Sequence, residues 1–266
     1  MSKISISNIA WTIENDFIIY KLMKEKGFSG LEIAPTRIFP ENPYGSCIKA
    51  KSWVDSIREN YGFVVPSMQS IWYGHQEQLF GSDKERRVLI SYTKKAIDFA
   101  EAIGCKNLVF GCPKNRNMPE GVDENIGIDF FKEVGDYAFE HNTVIGMEAN
   151  PQIYNTNYIN DTASVLELIE KVDSKGFLLD LDVGTMIANN ESVTILTGKE
   201  HLINHVHISE PGLKVIEQRE IHKQLAYLLR KYDYKKYVSI EVSRQDDIRN
   251  IEKMMNYVKD VFGDEK

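Results

Sequence analysis

The sequence predicts an α/β chain folded as a (β/α)₈ barrel, a TIM barrel, in a single domain spanning residues 1–266. Three observations carry that expectation. Short apolar, β-branched runs alternate with amphipathic helical stretches from end to end, eight of each, and strict alternation is the pattern of a parallel sheet wrapped by helices. The length of 266 residues fits one such barrel, which takes about 250. Glu148, Asp182, His207 and Glu241 each stand near the end of an apolar run, at steps of 34, 25 and 34 residues. One strand, one helix and their loops take roughly 30 residues or more, so each step is about one βα unit.

The elements follow in order. Residues 4–11 (ISISNIAW) read as the first strand, and 14–28 as a helix with Gly27 near its end. GLEIAP (30–35) is the second strand, and 48–62 a helix closed by Gly62. FVVPSMQSIW (63–72) is the third strand. The helix over 82–104 opens on an acidic first turn, which favours a helix N-terminus, and stops at Gly104. NLVFGCP (107–113) is the fourth strand, with a helix over 125–142. VIGMEANP (144–151) is the fifth, and its helix, 161–173, is capped by Asp161 or Thr162. GFLLDLDVG (176–184) is the sixth, followed by a weaker helix over about 191–202. INHVHIS (203–209) and YVSIEVS (237–243) are the seventh and eighth, with helices over 222–234 and 246–262. The longest loops follow strands two, three and four, and in a barrel such βα loops form the catalytic mouth.

Composition narrows the function classes. Hydrophobic content of 42% and charged content of 27% are ordinary for a globular protein. The formal net charge of −7 disfavours broad nucleic-acid binding, because an acidic surface repels phosphate backbones. Cys47, Cys105 and Cys112 form no paired framework, so they read as reduced thiols of a cytoplasmic protein. The N-terminus lacks the pattern of a signal peptide, and no run of about 20 apolar residues predicts a membrane span. Neither a GxGxxG after the first strand nor a P-loop is present, so no nucleotide cofactor is expected.

Strand side chains alternate in direction, so Gly146 shares a face with Glu148, Asp180 with Asp182, His205 with His207, and Ser239 with Glu241. Four consecutive parallel strands then present Glu, Asp, His and Glu at one end of the sheet. Oxygen donors with one imidazole suit a divalent cation, Mn²⁺ first, with Co²⁺, Zn²⁺ or Mg²⁺ as alternatives. Taken singly, each acid reads equally well as a strand-end salt bridge. Together they point to a metal site with carboxylates available for proton transfer.

The marks GFSGLEIAP, GMEANP, LDLDVGTM, HVHISE and YDYKKYVSIEVS resemble the xylose-isomerase-like barrel superfamily, the sugar phosphate isomerase/epimerase group, along the whole chain. The resemblance implies that Glu148, Asp182, His207 and Glu241 ligate one metal and that Glu148 and Glu241 are the catalytic proton-transfer pair. It implies a pocket-facing role for Glu32, which binds substrate or orients a histidine, and for Glu210 beside the substrate. Thr185 stands where many epimerases carry a substrate-contacting His, three residues after the Asp. The implied reaction removes a proton next to a carbonyl through a metal-stabilised enediolate of a small carbohydrate-like substrate, because the free C–H is too weakly acidic for an unaided carboxylate.

Further substrate-binding candidates come from the loops. Gln69 and Trp72 are placed to offer an amide to a hydroxyl and an indole to a sugar face, with rim packing as the bland alternative for Trp72. Lys114 and Arg116, after a Gly-Cys-Pro turn, and Arg244 are anion-binding candidates, with solvated loop charge as the alternative. A dehydratase of the inosose or dehydroshikimate kind would use the same base, and a non-catalytic sugar-binding barrel would keep the fold alone. A multi-metal DNA-repair endonuclease needs more imidazoles than the six present and a basic groove.

Overall fold

The computed structural model describes residues 2–263. Seven strands form one parallel sheet: β1 (Lys3–Ser7), β2 (Gly30–Glu32), β3 (Leu108–Phe110), β4 (Ile145–Glu148), β5 (Phe177–Asp182), β6 (Ile203–Ile208) and β7 (Tyr237–Ile240). Their spatial order is β2-β1-β7-β6-β5-β4-β3. The run 63–72, expected as a full strand, makes only three isolated parallel bridges: Val64 with Gly30, and Met68 with Ile33 and with Leu108. The cause is Pro66, which has no N–H to give a ladder. The run still joins the two edges of the sheet. Leu31 N–H donates to Val64 O and Met68 N–H to Asn107 O, both at 2.9 Å. The sheet is therefore curled, with seven regular strands and one irregular connecting run.

The helices are α1 (Asp16–Lys26), α2 (Pro35–Ile38), α3 (Cys47–Tyr61), α4 (Asp83–Ile103), α5 (Asn125–Glu140), α6 (Thr162–Val172), α7 (Val183–Ala188), α8 (Glu220–Lys231) and α9 (Ile248–Phe262). Their boundaries follow local chemistry. Ser82 and Glu85 form a reciprocal capping box at α4, and Asp161 caps α6 by accepting from Ser164 N–H at 2.8 Å. Gly27, Gly62 and Gly104 stop their helices in the left-handed region that glycine adopts at no steric cost. Several expected bounds are corrected, the first strand ending at Ser7 rather than 11 and the second at Glu32 rather than 35 among them. The sixth strand ends at Asp182 rather than running to 184, because that carboxylate caps α7. The expected helix over 191–202 is two short 3₁₀ turns, Val193–Leu196 and Glu200–Leu202.

Strand alternation sorts the core into two zones. Ile4, Ile6, Ile145, Met147, Leu179, Leu181, Val206, Ile208, Val238 and Ile240 are buried among the hydrophobic residues of the sheet and its helices. The opposite face, turned into the barrel, is polar: Ser5, Ser7, Glu32, Asp180, His205, His207 and Ser239 are all buried. Polar groups in such a place must find partners or remain costly, and that face leads to the site. Among the described residues the three cysteines are free thiols, and no helix is long and apolar enough to cross a membrane.

Candidate active site

Sheet register brings the four predicted ligand residues together. Glu148 pairs with Asp180, two residues below Asp182; Asp182 pairs with His207; His207 pairs with Ser239, two residues below Glu241. At the C-terminal ends of these strands, ligand atoms of Glu148, Asp182, His207 and Glu241 all lie within 4.8 Å of one another. His207 Nδ1 is 2.9 Å from Glu148 Oε1 and 3.4 Å from Glu241 Oε2. Its Nε2 lies 3.0 Å from Glu32 Oε2. Asp182 accepts from the N–H groups of Gly184 and Thr185 and from the hydroxyls of Thr185 and Ser209. Glu148 Oε2 accepts from Asn150 Nδ2 at 3.0 Å. Gly111, after β3, leaves room for that carboxylate, since a Cβ there would come within 2.7 Å of Glu148 Oε2.

The electrostatics of this cluster are those of too many anions in a dry place. Burial pushes the Glu241 carboxyl well above the usual carboxylate range, and the neighbouring Glu148, Asp182 and Glu32 reinforce the rise against the pull of His207. Burial, then Glu148, also raises Asp182. Burial disfavours the charged form of His207, but Glu32, Glu241 and Asp180 outweigh it and hold the imidazole well above its ordinary range. Glu32 moves the other way. Its burial is overcome by His207 and His205, which keep it ionised. Nearby opposite charge and desolvation compete here at short range.

The donor set fits a divalent cation. Three carboxylates face one imidazole nitrogen, and the other nitrogen of that ring is held by a further carboxylate, Glu32. A metal-ligating histidine is commonly oriented in this way. A cation among these groups would relieve the mutual repulsion that raises Glu241 and Asp182. Glu32, His205 and His207 form a second grouping that shares His207. His205 Nε2 lies 3.0 Å from Glu32 Oε2 without hydrogen-bond alignment.

The other candidates are placed as follows. Gln69 is buried and donates to Ser7 Oγ at 2.7 Å and to Glu32 Oε1 at 3.1 Å, so it fixes the acid behind His207. Thr185 donates its hydroxyl to Asp182 and to Ala149 O. Trp72 is buried, donates to Thr93 Oγ1 and packs edge-on against Phe110 and Phe130, the bland alternative of wall packing. Arg116 is also buried. Its guanidinium donates to the carbonyls of Glu148 and Ile159, tying down the loop that follows β4. Lys114 is exposed, and Arg244 is exposed beside Asp246. Glu210 is taken up in a bidentate pair with Arg219, whose Nε donates to Oε1 and Nη2 to Oε2. The sequence reading did not single out Asn150 and Ser209, yet each lies two residues beyond a ligand candidate, on the same face. That spacing was the available signal. Asn107, which donates to Asp180 at 3.0 Å, had no such signal.

The whole-chain comparisons agree with this architecture. The 3-keto-D-glucoside 4-epimerase YcjR from E. coli, in apo form, superposes with a TM-score of 0.77 at 20% identity, covering 98% of this chain and 100% of that one. The D-psicose 3-epimerase of Clostridium cellulolyticum H10 superposes with a TM-score of 0.78 at 15% identity, covering 98% and 99%. The probable 3-DHS dehydratase AsbF of Bacillus anthracis gives 0.68 at 15% identity, covering 99% and 100%. At these identities the likeness is one of fold. No protein of curated function matches the sequence. The family model described as the xylose isomerase-like TIM barrel matches residues 20–261, and the chain belongs to that family.

Proposed function

We propose that this protein is a cytoplasmic, divalent-metal-dependent isomerase or epimerase of a small sugar, sugar acid, cyclitol or derivative, with Mn²⁺ as the preferred ion. The observation that carries the reading is the convergence of Glu148, Asp182, His207 and Glu241 at the C-terminal ends of four adjacent strands. The epimerases among the similar folds act, by their names, on small carbohydrates, which is the class this site would take.

A divalent ion held by these four residues would supply positive charge to the carbonyl and hydroxyl oxygens of the substrate as the neighbouring C–H bond breaks. The protein's own groups do the rest. Glu32 accepts from His207 Nε2 and so turns Nδ1 toward the carboxylates. Asp182 is fixed by four donors and serves as an anchor. Glu148 and Glu241 come from β4 and from the end of β7, the strands that flank β5 and β6. A substrate lying over the site therefore has one carboxylate on each side, one to take the proton and one to return it. A dehydratase would use the same base and then expel hydroxide. Thr185, whose hydroxyl is spent on Asp182 and Ala149, adds no imidazole that would favour either outcome.

The test is solvent proton exchange. Protein loaded with Mn²⁺ is screened against ketoses, inososes and keto acids in heavy water, with Glu148→Gln and Glu241→Gln in parallel. Gln keeps the shape but accepts no proton at neutral pH. Each variant is expected to lose net conversion, one of them retaining exchange at a single carbon. Near-parental exchange and conversion in both variants sinks the acid/base assignment. A product absorbing as a conjugated enone identifies the lyase instead.

A further inference from the structure

The opposite end of the barrel carries a second feature, whose lining includes His205 but none of the four metal donors. A pocket of about 960 Å³ opens at the N-terminal ends of the strands, where Lys3, Val64, Asn107, Val144, Leu178 and Tyr237 stand in its wall. Its wall holds five lysines (Lys3, Lys106, Lys175, Lys235 and Lys236) and a single carboxylate, Glu140. This concentration of positive charge occurs in a chain whose formal net charge is −7.

Among the described residues, four of these ammonium groups are held by neutral partners. Lys106 donates to Asn142 O at 2.9 Å, and Lys236 to Asn204 Oδ1 at 2.9 Å. Lys3 lies 5.6 Å from the centre of the Tyr237 ring, and Lys175 5.6 Å from that of Phe139. Among the described residues, none of the four is within ion-pair distance of a carboxylate. A cleft lined by charge of one sign focuses its field and concentrates the opposite ion. Lysine binds phosphate as a compact point charge. The wall also offers an unspent buried donor, Thr143 Oγ1, which has no hydrogen-bond partner. On the apolar side, Phe139 is 53% exposed and Val64, Val144 and Leu178 are half-buried.

We propose that this N-terminal pocket binds an organic polyphosphate, its phosphates on the lysines and its apolar body against Phe139 and Tyr237. The site is separate from the metal donors, which lie at the C-terminal ends of the same strands.

The experiment is titration calorimetry of the full chain in chelator and low salt, with magnesium-free ATP, inorganic pyrophosphate and adenosine as probes. ATP is expected to bind saturably, one per chain, and at least about threefold more tightly than pyrophosphate, which corresponds to about 0.7 kcal/mol. Adenosine alone should not bind. The double charge reversal Lys106→Glu with Lys175→Glu should weaken ATP at least about tenfold. The reversal of Lys21 and Lys95 to Glu, which changes net charge equally, should leave it within about twofold. Equal weakening by both double variants, or no saturable ATP binding, overturns the site and leaves solvated surface lysines. Equal affinity for ATP and pyrophosphate overturns the organic part of the proposal. Thermal unfolding at parental temperature in both double variants shows that the comparison is made on folded protein.

Discussion

Asp180→Asn is expected to make the metal-free protein more stable at neutral pH. Asp180 lies on β5, one turn of the strand alternation below Asp182, and is fully buried. Its Oδ2 accepts from Asn107 Nδ2 at 3.0 Å, while its Oδ1 is buried without a partner. Burial raises the carboxyl from 3.8 to about 6, with Glu148 and Glu32 adding to the rise and His207 and His205 opposing it. Because the folded value lies above the unfolded one, the folded state holds the proton more tightly. The associated stability is present below about pH 4 and is lost as pH rises through about 6. Roughly two pKa units at about 1.4 kcal/mol each make that loss on the order of 3 kcal/mol. Asn keeps the shape and an acceptor for Asn107, but its amide hydrogens replace the unpartnered oxygen, an offset of about 1 kcal/mol. The net expectation is a gain of about 2 kcal/mol at pH 7, or roughly 4–8 °C in Tm for a chain of this size, shrinking to nothing near pH 4.5. Urea unfolding of chelator-treated parent and variant across pH 4.5–7.5 measures it. Adding Mn²⁺ should shrink the gain, since a cation beside Asp182 would lower Asp180 in the parent. A difference that is the same at both ends of the pH range, or a variant less stable at pH 7, would refute the reasoning.

Two further outcomes rest on other buried groups. Glu32→Gln should keep the fold and weaken Mn²⁺ about 10–100-fold by calorimetry, because it removes the carboxylate that orients His207; undiminished affinity rules out that role. His222, fully buried, accepts or donates at 3.0 Å to Tyr257 OH, and burial pushes its imidazole down to about 4. Below about pH 6.5 the unfolded chain takes up a proton that the folded one refuses, so stability is lost as pH falls toward 4. His222→Gln should reduce the stability difference between pH 7 and 4.5 by about 2–3 kcal/mol, and an unchanged difference excludes His222 as its source.

The sequence made the alternation, most helix ends and the convergence of Glu148, Asp182, His207 and Glu241 legible because each rests on local or periodic chemistry: glycine stops, caps, and one acid or imidazole per βα unit. Other features depended on what the rest of the fold places nearby. Pro66 turned an apolar run into isolated bridges, which its lack of an N–H explains in retrospect. DVGTM follows a strand pattern, but Asp182 accepting from Gly184 and Thr185 starts a helix there. Trp72 and Arg116 look like mouth residues in a loop, and burial against Phe110 and against the Glu148 carbonyl is a tertiary fact. In the polar layer beneath the quartet, Asp180 and His205 were legible as residues sharing a face with Asp182 and His207, whereas Asn107, at the start of an ordinary apolar strand, gave no sign of its bond to Asp180.

The charge state of the quartet gives a last expectation. Without metal, the anions around His207 hold its imidazole protonated, and burial among like charges favours the protonated form of Glu241. A ligating nitrogen or carboxylate oxygen must give up its proton. His207 has only Nδ1 to offer, because Nε2 is engaged with Glu32, so the proton displaced is the one on Nδ1. Mn²⁺ binding near pH 7 should therefore release at least about one proton per chain, and the affinity should rise about tenfold per pH unit for each proton released. Calorimetry in buffers of different ionisation enthalpy counts those protons directly. Asp182→Asn should weaken binding and leave the count in place, since that proton belongs to His207. His207→Ala should weaken binding and lower the count. Binding that is tight, independent of pH and free of proton release would mean that the ring is already neutral in the metal-free protein. The cluster of carboxylates around it would then need a different source of positive charge.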